Sequence, residues 1–287
     1  MMDGFIIVNK PKDMTSHAVC NKIRRVMNTK KVGHSGTLDP LATGVLVVAV
    51  GKATKLISYL ENQDKTYVAE ALFGLQTDSY DILGNTLNID ENASPNDDDI
   101  DLALAKLKET TKQIPPIYSA IKVNGRKLYD YAKLGEEVEI KPRDIKIFSL
   151  KRVSNIIENK VKIEVNAQKG FYVRSLINDL GRELNTYAVM SDLIRTKAGN
   201  YTLEMSQTLE EIETNGPRIY SIEETFANLK RIDVNDYIKK LVLNGITLDE
   251  RQFSLNEMFK IYHNNKLIAI YEPFDDKKYK LVLKLED

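Results

Sequence analysis

Residues 32–51 constrain the fold of this chain more than any other stretch, because a glycine-containing loop precedes a run of six apolar residues. Three glycines in the loop allow tight turns and positive backbone φ: Gly33, Gly36 and Gly44. The apolar run 45–50 is too short to cross a membrane and predicts a buried strand. A loop fixed to a buried strand presents a side chain rigidly, and this loop presents one carboxylate, Asp39.

Local pattern alone leaves other interpretations of this loop open. Asp39-Pro40 is also an ordinary turn dipeptide. A serine nucleophile at Ser35 would need Gly-x-Ser-x-Gly after a strand, but Thr37 occupies the second glycine position and we expect the preceding residues to be helical. The three histidines lack the spacing of metal ligands, so no metal site is predicted: His17, His34 and His263.

Charge is distributed unevenly along the chain although the formal net charge is zero. Residues 10–55 hold nine Lys or Arg against two Asp, and residues 141–200 hold twelve Lys or Arg against six Asp or Glu. If the fold brings these two stretches together, they make a positive surface suited to a nucleic acid. A hydrophobic content of 43% is typical of a soluble protein, and the short apolar segment 5–8 does not resemble a signal peptide. We therefore expect a cytoplasmic protein without a membrane segment.

Strand-like and helix-like patterns alternate irregularly, which predicts an α+β fold with a mixed sheet. Strand patterns at 145–150 and 161–165 are followed by Phe171-Tyr-Val and then by a helical apolar stripe, which predicts a strand-to-helix junction at Arg174. The turn sequence Asn215-Gly216-Pro217 indicates a boundary. Beyond it, a helix near 236–243 and three strand patterns predict a small β-rich module with a hairpin.

Five further segments carry recognisable motifs: Asn9–Ser16, Lys65–Ala69, Thr77–Gly84, Pro115–Lys122 and Lys169–Leu176. Together with residues 32–51, they resemble in order and spacing the motifs of the TruB family of pseudouridine synthases. These enzymes isomerise a uridine in the T-arm loop of tRNA. The resemblance covers roughly residues 4–205 and implies a catalytic domain with a mixed, largely antiparallel sheet and flanking helices, spanning 1–228 with an insertion around 85–143. By position, residues 229–287 resemble the PUA-like RNA-binding domain of that family.

The resemblance also implies roles for individual residues. Asp39 matches the catalytic nucleophile, and Arg174 matches the arginine that pairs with it. Tyr67 matches the tyrosine that stacks on the extruded uracil, with its hydroxyl near the carbon that loses a proton. Whether the carboxylate attacks the ribose, adds to the uracil ring or abstracts a ribose proton is left open by the sequence.

Four more positions match residues that bind the substrate in this family. His34 matches the histidine that fills the space left in the RNA by the flipped base. Tyr172 and Leu193 match residues that line the base pocket. Lys10 lies in the opening motif, where it is expected to contact substrate or to brace the catalytic loop.

The resemblance therefore implies an enzyme that flips uridine 55 of tRNA out of the T-arm loop and isomerises it. It implies no metal or organic cofactor, no obligate protein partner and a monomer. Two alternatives share this scaffold: an RNA-binding or tRNA-folding protein, and a guide-RNA-dependent synthase of the dyskerin type. Intact Asp39, Tyr67 and Arg174 favour catalysis over the first. The short C-terminal module disfavours the second, whereas the insertion around Pro115-Pro116 is typical of the stand-alone enzymes.

Overall fold

The computed structural model describes residues 3–275 and 277–286, so the outermost ends of the two predicted domains, residues 1–2 and 287, lie outside the described residues. The helices are α1 Ser16–Val26, α2 Ile57–Glu61, α3 Asp97–Lys108, α4 Leu128–Leu134, α5 Val173–Glu183, α6 Leu209–Asn215, α7 Ile222–Thr225 and α8 Asp236–Leu243, with 3₁₀ helices at Gly51–Leu56 and Leu203–Met205.

The strands are β1 Gly4–Lys10, β2 Val32–Ser35, β3 Thr43–Val50, β4 Lys65–Phe73, β5 Leu75–Thr77, β6 Thr86–Ile89, β7 Lys112–Gln113, β8 Lys122–Val123, β9 Arg126–Lys127, β10 Arg143–Asp144, β11 Ile147–Arg152, β12 Lys160–Ala167, β13 Ala188–Ala198, β14 Tyr201–Thr202, β15 Ile219–Ser221, β16 Lys230–Asp233, β17 Leu248–Asp249, β18 Phe259–His263, β19 Lys266–Asp275 and β20 Lys278–Lys284. The expected α+β fold with a mixed sheet is confirmed.

The central sheet has nine strands in the order β11-β12-β4-β13-β3-β1-β15, with β14 added to β13 and β2 added to β3. Strand β13 pairs in parallel with only the first two residues of β3, whereas β2 pairs with Val47–Val50 of the same strand. The loop from β2 to β3, residues 36–42, therefore begins and ends near the place where β13 meets β3. This is the loop that carries Asp39.

Both faces of the central sheet are covered, which explains the unbroken apolar runs Phe5–Val8 of β1 and Val45–Val50 of β3. Leu46, Val48 and Val50 of β3 lie in one buried cluster with residues of α1, α3, α5 and α6. The alternate residues Val45 and Val47 lie in a second cluster on the opposite face. Burial on both sides holds β3, and with it one end of the loop that carries Asp39, in a fixed position.

A second sheet of five strands, in the order β16-β18-β19-β20-β17, forms the β-rich C-terminal part that the sequence predicts. Helix α8 has the bounds that the sequence pattern predicts. The second hydrophobic cluster contains Phe5 and Ile7 of β1 together with Tyr262, Ile270 and Leu283 of this sheet. The two sheets thus share one apolar core.

Two local expectations are wrong. Phe171–Val173 is not a strand: β12 ends at Ala167, a turn follows, and α5 begins at Val173, so Arg174 lies in the first turn of a helix. The residues before Ser35 form β2 rather than a helix, because they pair with the half of β3 that β13 does not reach.

None of the helices in the described ranges has the length and apolar character of a membrane span.

Candidate active site

The loop that carries Asp39 is fixed by hydrogen bonds from three directions. The Ser16 hydroxyl, at the start of α1, donates to the Leu38 carbonyl at 3.1 Å and accepts from the Leu38 amide at 2.9 Å. The Asp13 amide donates to the Pro40 carbonyl at 2.8 Å. From β13, Arg195 Nη2 donates to the Gly36 carbonyl at 3.2 Å. The residues on both sides of Asp39 are therefore held by the body of the protein.

Lys10 ends β1 and is fully buried. Its ammonium donates to three carbonyls, those of Pro11 at 2.8 Å, Met14 at 2.6 Å and Pro40 at 3.3 Å. Burial lowers the pKa of Lys10 to about 8, although the negative charge of nearby Asp39 opposes this change. Lys10 therefore braces the loop that carries Asp39 through its bond to Pro40.

Asp39 forms an ion pair with Arg174, whose Nη2 lies 2.9 Å from Asp39 Oδ2. The two side chains differ in exposure: 41% for Asp39 and 7% for Arg174. The cation is therefore embedded in the protein, while the carboxylate faces the solvent side, where a substrate can reach it. A fixed guanidinium beside the carboxylate stabilises its negative charge.

Arg174 is itself held by a second carboxylate and two carbonyls. Its Nη1 lies 3.5 Å from Asp81 Oδ2 and donates to the Ser79 carbonyl at 3.2 Å, and its Nη2 donates to the Tyr118 carbonyl at 3.0 Å. Asp81 Oδ1 in turn accepts the Ser79 hydroxyl at 2.8 Å. These partners come from the motif at 77–84 and from the insertion, so both segments fix the direction of the guanidinium.

Tyr172 precedes α5, next to this cluster. The side-chain amide of Gln113 clamps its backbone, because Nε2 donates to the Tyr172 carbonyl at 3.1 Å and Oε1 accepts from the Tyr172 amide at 2.9 Å. Burial raises the pKa of the Tyr172 hydroxyl, and the charges of Arg174 and Asp39 are close enough to contribute. The structure thus brings Tyr172 together with the ion pair.

Tyr67 and Leu193 lie on neighbouring strands of the central sheet. Tyr67 of β4 pairs with Arg195 of β13, and Leu193 of β13 pairs with Ala69 of β4. Leu193 is buried in the first hydrophobic cluster, and the partly buried ring of Tyr67 packs against the same cluster. Both side chains therefore have rigid surroundings.

His34 lies on β2, opposite Val48 of β3. Its Nδ1 is buried, with no hydrogen-bond partner among the described residues. Partial burial and the positive charge of Arg195 lower the pKa of His34, which favours the neutral imidazole. The residue is partly exposed, and a neutral imidazole suits contact with a nucleobase.

Sequence reasoning assigned no role to Ser16, Asp81 or Arg195, which all contribute to this site. Ser16 and Asp81 lie within the motifs at 9–16 and 77–84, but the motifs do not indicate which atoms they contact. Arg195 offered no clear signal, because its strand also carries the charged residues Asp192 and Lys197. Within the described ranges, no group of three or more His, Cys, Asp or Glu residues could hold a metal ion.

Comparison with known proteins defines the class of this chain. The model of the TruB family pseudouridylate synthase N-terminal domain matches residues 24–173, and that of the tRNA pseudouridylate synthase B C-terminal domain matches residues 174–243. The fold is also found in a chain of a solved Cbf5-Nop10-Gar1 complex, with a TM-score of 0.70, 23% identity and coverage of 99% of this chain and 84% of that chain. Fold and sequence are those of a pseudouridylate synthase, an isomerase.

Full-length relatives give the family. The tRNA pseudouridine synthase B of Aster yellows witches'-broom phytoplasma is 40% identical over 280 residues, covering 97% of this chain and 98% of that protein. The tRNA pseudouridine synthase B of Fusobacterium nucleatum is 42% identical over 287 residues, covering 98% and 92%. This chain belongs to the TruB family of pseudouridylate synthases.

Proposed function

We propose that this enzyme acts on tRNA and converts uridine 55 of the T-arm loop to pseudouridine, with Asp39 as the catalytic nucleophile. The full-length relatives named tRNA pseudouridine synthase B support tRNA as the substrate class. One structural observation carries the catalytic assignment. It is the half-exposed carboxylate of Asp39 on a fixed loop, 2.9 Å from the buried guanidinium of Arg174.

The reaction breaks the bond between N1 of the base and C1′ of the ribose, turns the base, and joins C5 to C1′. C5 loses a proton and N1 gains one, so the atoms balance without a co-substrate. An ionised carboxylate is required whether it attacks the ribose, adds to the uracil ring or takes a ribose proton. Arg174 pairs with the carboxylate and holds Asp39 in place.

The target base must leave the RNA stack to reach Asp39, because a stacked base in a folded loop is shielded. Tyr67 would stack on the extruded uracil, with its hydroxyl available for the proton transfer at C5. Tyr172 and Leu193 would line the rest of the base pocket. The neutral imidazole of His34 would occupy the space that the base leaves in the loop.

Outside the proposed base pocket, the insertion carries a hairpin with side chains suited to RNA. An Asn124-Gly125 turn, with φ of 51° and 82°, connects β8 to β9. Cations lie over aromatic rings just beyond it, Arg126 over Tyr131 at 3.7 Å and Lys127 over Tyr129 at 5.3 Å. Basic and aromatic side chains together bind RNA backbone and bases. We propose that this hairpin and the C-terminal part, residues 229–287, contact the tRNA beyond the target loop.

The direct test is to incubate the purified chain with an unmodified tRNA transcript and to map pseudouridine at every uridine. Pseudouridine at position 55 alone is the expected result. Product at other positions only would contradict the site assignment. RNA binding and folding without any product would favour the tRNA-folding alternative.

A matched pair of variants tests the role of Asp39. Asp192 has a side chain 42% exposed and an ion pair with Lys12 at 3.3 Å, so it resembles Asp39 in exposure and charge. Asp39→Asn should abolish product while tRNA affinity stays within about threefold, because the substitution removes the nucleophile and little of the binding surface. Asp192→Asn should keep the wild-type rate. Substantial product from Asp39→Asn would remove Asp39 from the mechanism.

A further inference from the structure

Arg195 is among the largest fully buried side chains of the described protein, with 1% of its surface exposed. Its Nε donates to the Val45 carbonyl at 2.7 Å, and its Nη2 donates to the Gly36 carbonyl at 3.2 Å. Val45 lies just after the loop that carries Asp39, and Gly36 lies at its beginning. One planar side chain therefore ties both ends of the loop to β13.

Ordinary stabilisation does not account for this arginine. Within the residues 3–275 and 277–286, no carboxylate lies at ion-pair distance from Arg195, so its charge is held by carbonyl dipoles alone. Burying a charge without a counter-ion costs several kcal/mol, and an apolar residue of similar volume is often as stable or more so. The position therefore retains a cation at an energetic cost.

The backbones of β13 and β3 lie unusually close together at Arg195. Arg195 pairs with Gly44, at the short parallel contact of β13 with β3. A Cβ at Gly44, where φ is +98°, would lie 2.3 Å from the Arg195 carbonyl oxygen. Glycine thus lets the two strands meet at this point, which brings the guanidinium beneath the loop.

We infer that Arg195 is a positioning residue for the isomerisation: its guanidinium holds Gly36 and Val45 at the separation that places Asp39 in contact with Arg174. This inference rests on the proposed function of Asp39. The planar fork of the guanidinium matches this task, because two of its nitrogens donate in fixed directions at once. A lysine ammonium at the end of a flexible chain lacks that fixed geometry.

The charge of Arg195 also acts on its neighbours. It contributes to lowering the pKa values of Lys10, His34 and Lys65, although burial is the larger cause for each. Removing the charge would therefore raise the pKa of His34 towards its usual value.

The experiment compares wild type with Arg195→Met, Arg195→Lys and the control Arg152→Met. Arg152 also joins distant segments, through ion pairs to Asp97 at 3.1 Å and Asp101 at 2.9 Å, but away from the loop. Three quantities are measured: the thermal midpoint, the affinity for an unmodified T-arm stem-loop, and the single-turnover rate at saturating RNA.

Arg195→Met should lose about 100-fold or more in rate while affinity stays within about threefold, and Arg195→Lys should lose about tenfold or more. Arg152→Met should lower the thermal midpoint with a wild-type rate. If Arg195→Met does not fold, the lysine variant decides the question, and a wild-type rate there overturns the inference. Asp39→Asn distinguishes failure of this inference from failure of the proposed function. If Asp39→Asn is inactive while the Arg195 variants keep the wild-type rate, the positioning role of Arg195 is refuted and the role of Asp39 is retained.

Discussion

Ser16→Ala tests whether catalysis depends on the fixed position of the loop. The Ser16 hydroxyl is buried and makes two hydrogen bonds to the backbone of Leu38, the residue before Asp39. Alanine leaves the Leu38 amide and carbonyl without these partners. A buried polar group without a partner costs about 1–3 kcal/mol, so the present loop conformation loses about 2–6 kcal/mol. If the loop escapes this cost by moving, the lower figure corresponds to a rate reduced by about 30-fold.

Thr15→Ala is the matched control, because Thr15 is the N-cap of the same helix and its hydroxyl accepts from the Ala18 amide at 3.0 Å. Loss of this cap should cost about 1 kcal/mol of stability. Urea unfolding gives the stability of both variants, and single-turnover kinetics at saturating RNA gives their rates. Both should be less stable than wild type, but only Ser16→Ala should react slowly. A rate for Ser16→Ala within twofold of the Thr15→Ala rate would refute the argument.

Four further substitutions address individual contacts. Arg174→Lys should lose most of the single-turnover rate, since one ammonium cannot replace the guanidinium contacts to Asp39 and Asp81 together; a full rate would show that only charge matters. Asp81→Asn should slow the same reaction about tenfold by removing a charge that orients Arg174, and an unchanged rate would limit Asp81 to closing its own turn. Tyr67→Phe should bind RNA normally but turn over slowly, and equal rates would restrict Tyr67 to stacking. Lys10→Met tests a pH effect: because the folded pKa of about 8 lies below the usual 10.5, the cost of the buried charge falls as the pH rises from 8 to 10.5. Wild-type stability in urea should therefore rise relative to Lys10→Met between pH 7 and 10, and a constant difference would contradict this.

The sequence predicted the elements of this fold where a local pattern specifies them. The apolar run 45–50 predicted β3, and the apolar pattern near 236–243 predicted α8. The strand predicted at Phe171–Val173 is wrong; the prediction arose because aromatic and β-branched residues favour strands in general. In the structure, Gln113 from β7 clamps the backbone there and α5 starts at once. The deciding contact comes from 59 residues away, which a local pattern cannot contain.

In the candidate site too, the sequence predicted some residues but not the long-range contacts that hold them. The family resemblance predicted that Asp39 and Arg174 act together, and the two side chains are in contact. It did not identify the residues that hold them. The bond from Arg195 to Gly36 spans 159 residues and exists because β13 meets β3 in parallel. Such contacts follow from the tertiary pairing of strands, which the spacing of motifs does not specify.

The apolar cluster shared by the two sheets limits how this enzyme can adapt to its substrate. A chain cut near residue 228 would expose Phe5 and Ile7 of β1, which pack with Tyr262 and Ile270. The Lys52 ammonium adds a bond to the Leu285 carbonyl at 2.9 Å across the same contact. Separating the two surfaces would expose these apolar side chains to water, which opposes a swing of the C-terminal part towards a bound tRNA. Under the proposed function, the distortion that brings the target base to Asp39 would then fall mainly on the RNA, which favours tRNAs whose loops deform easily.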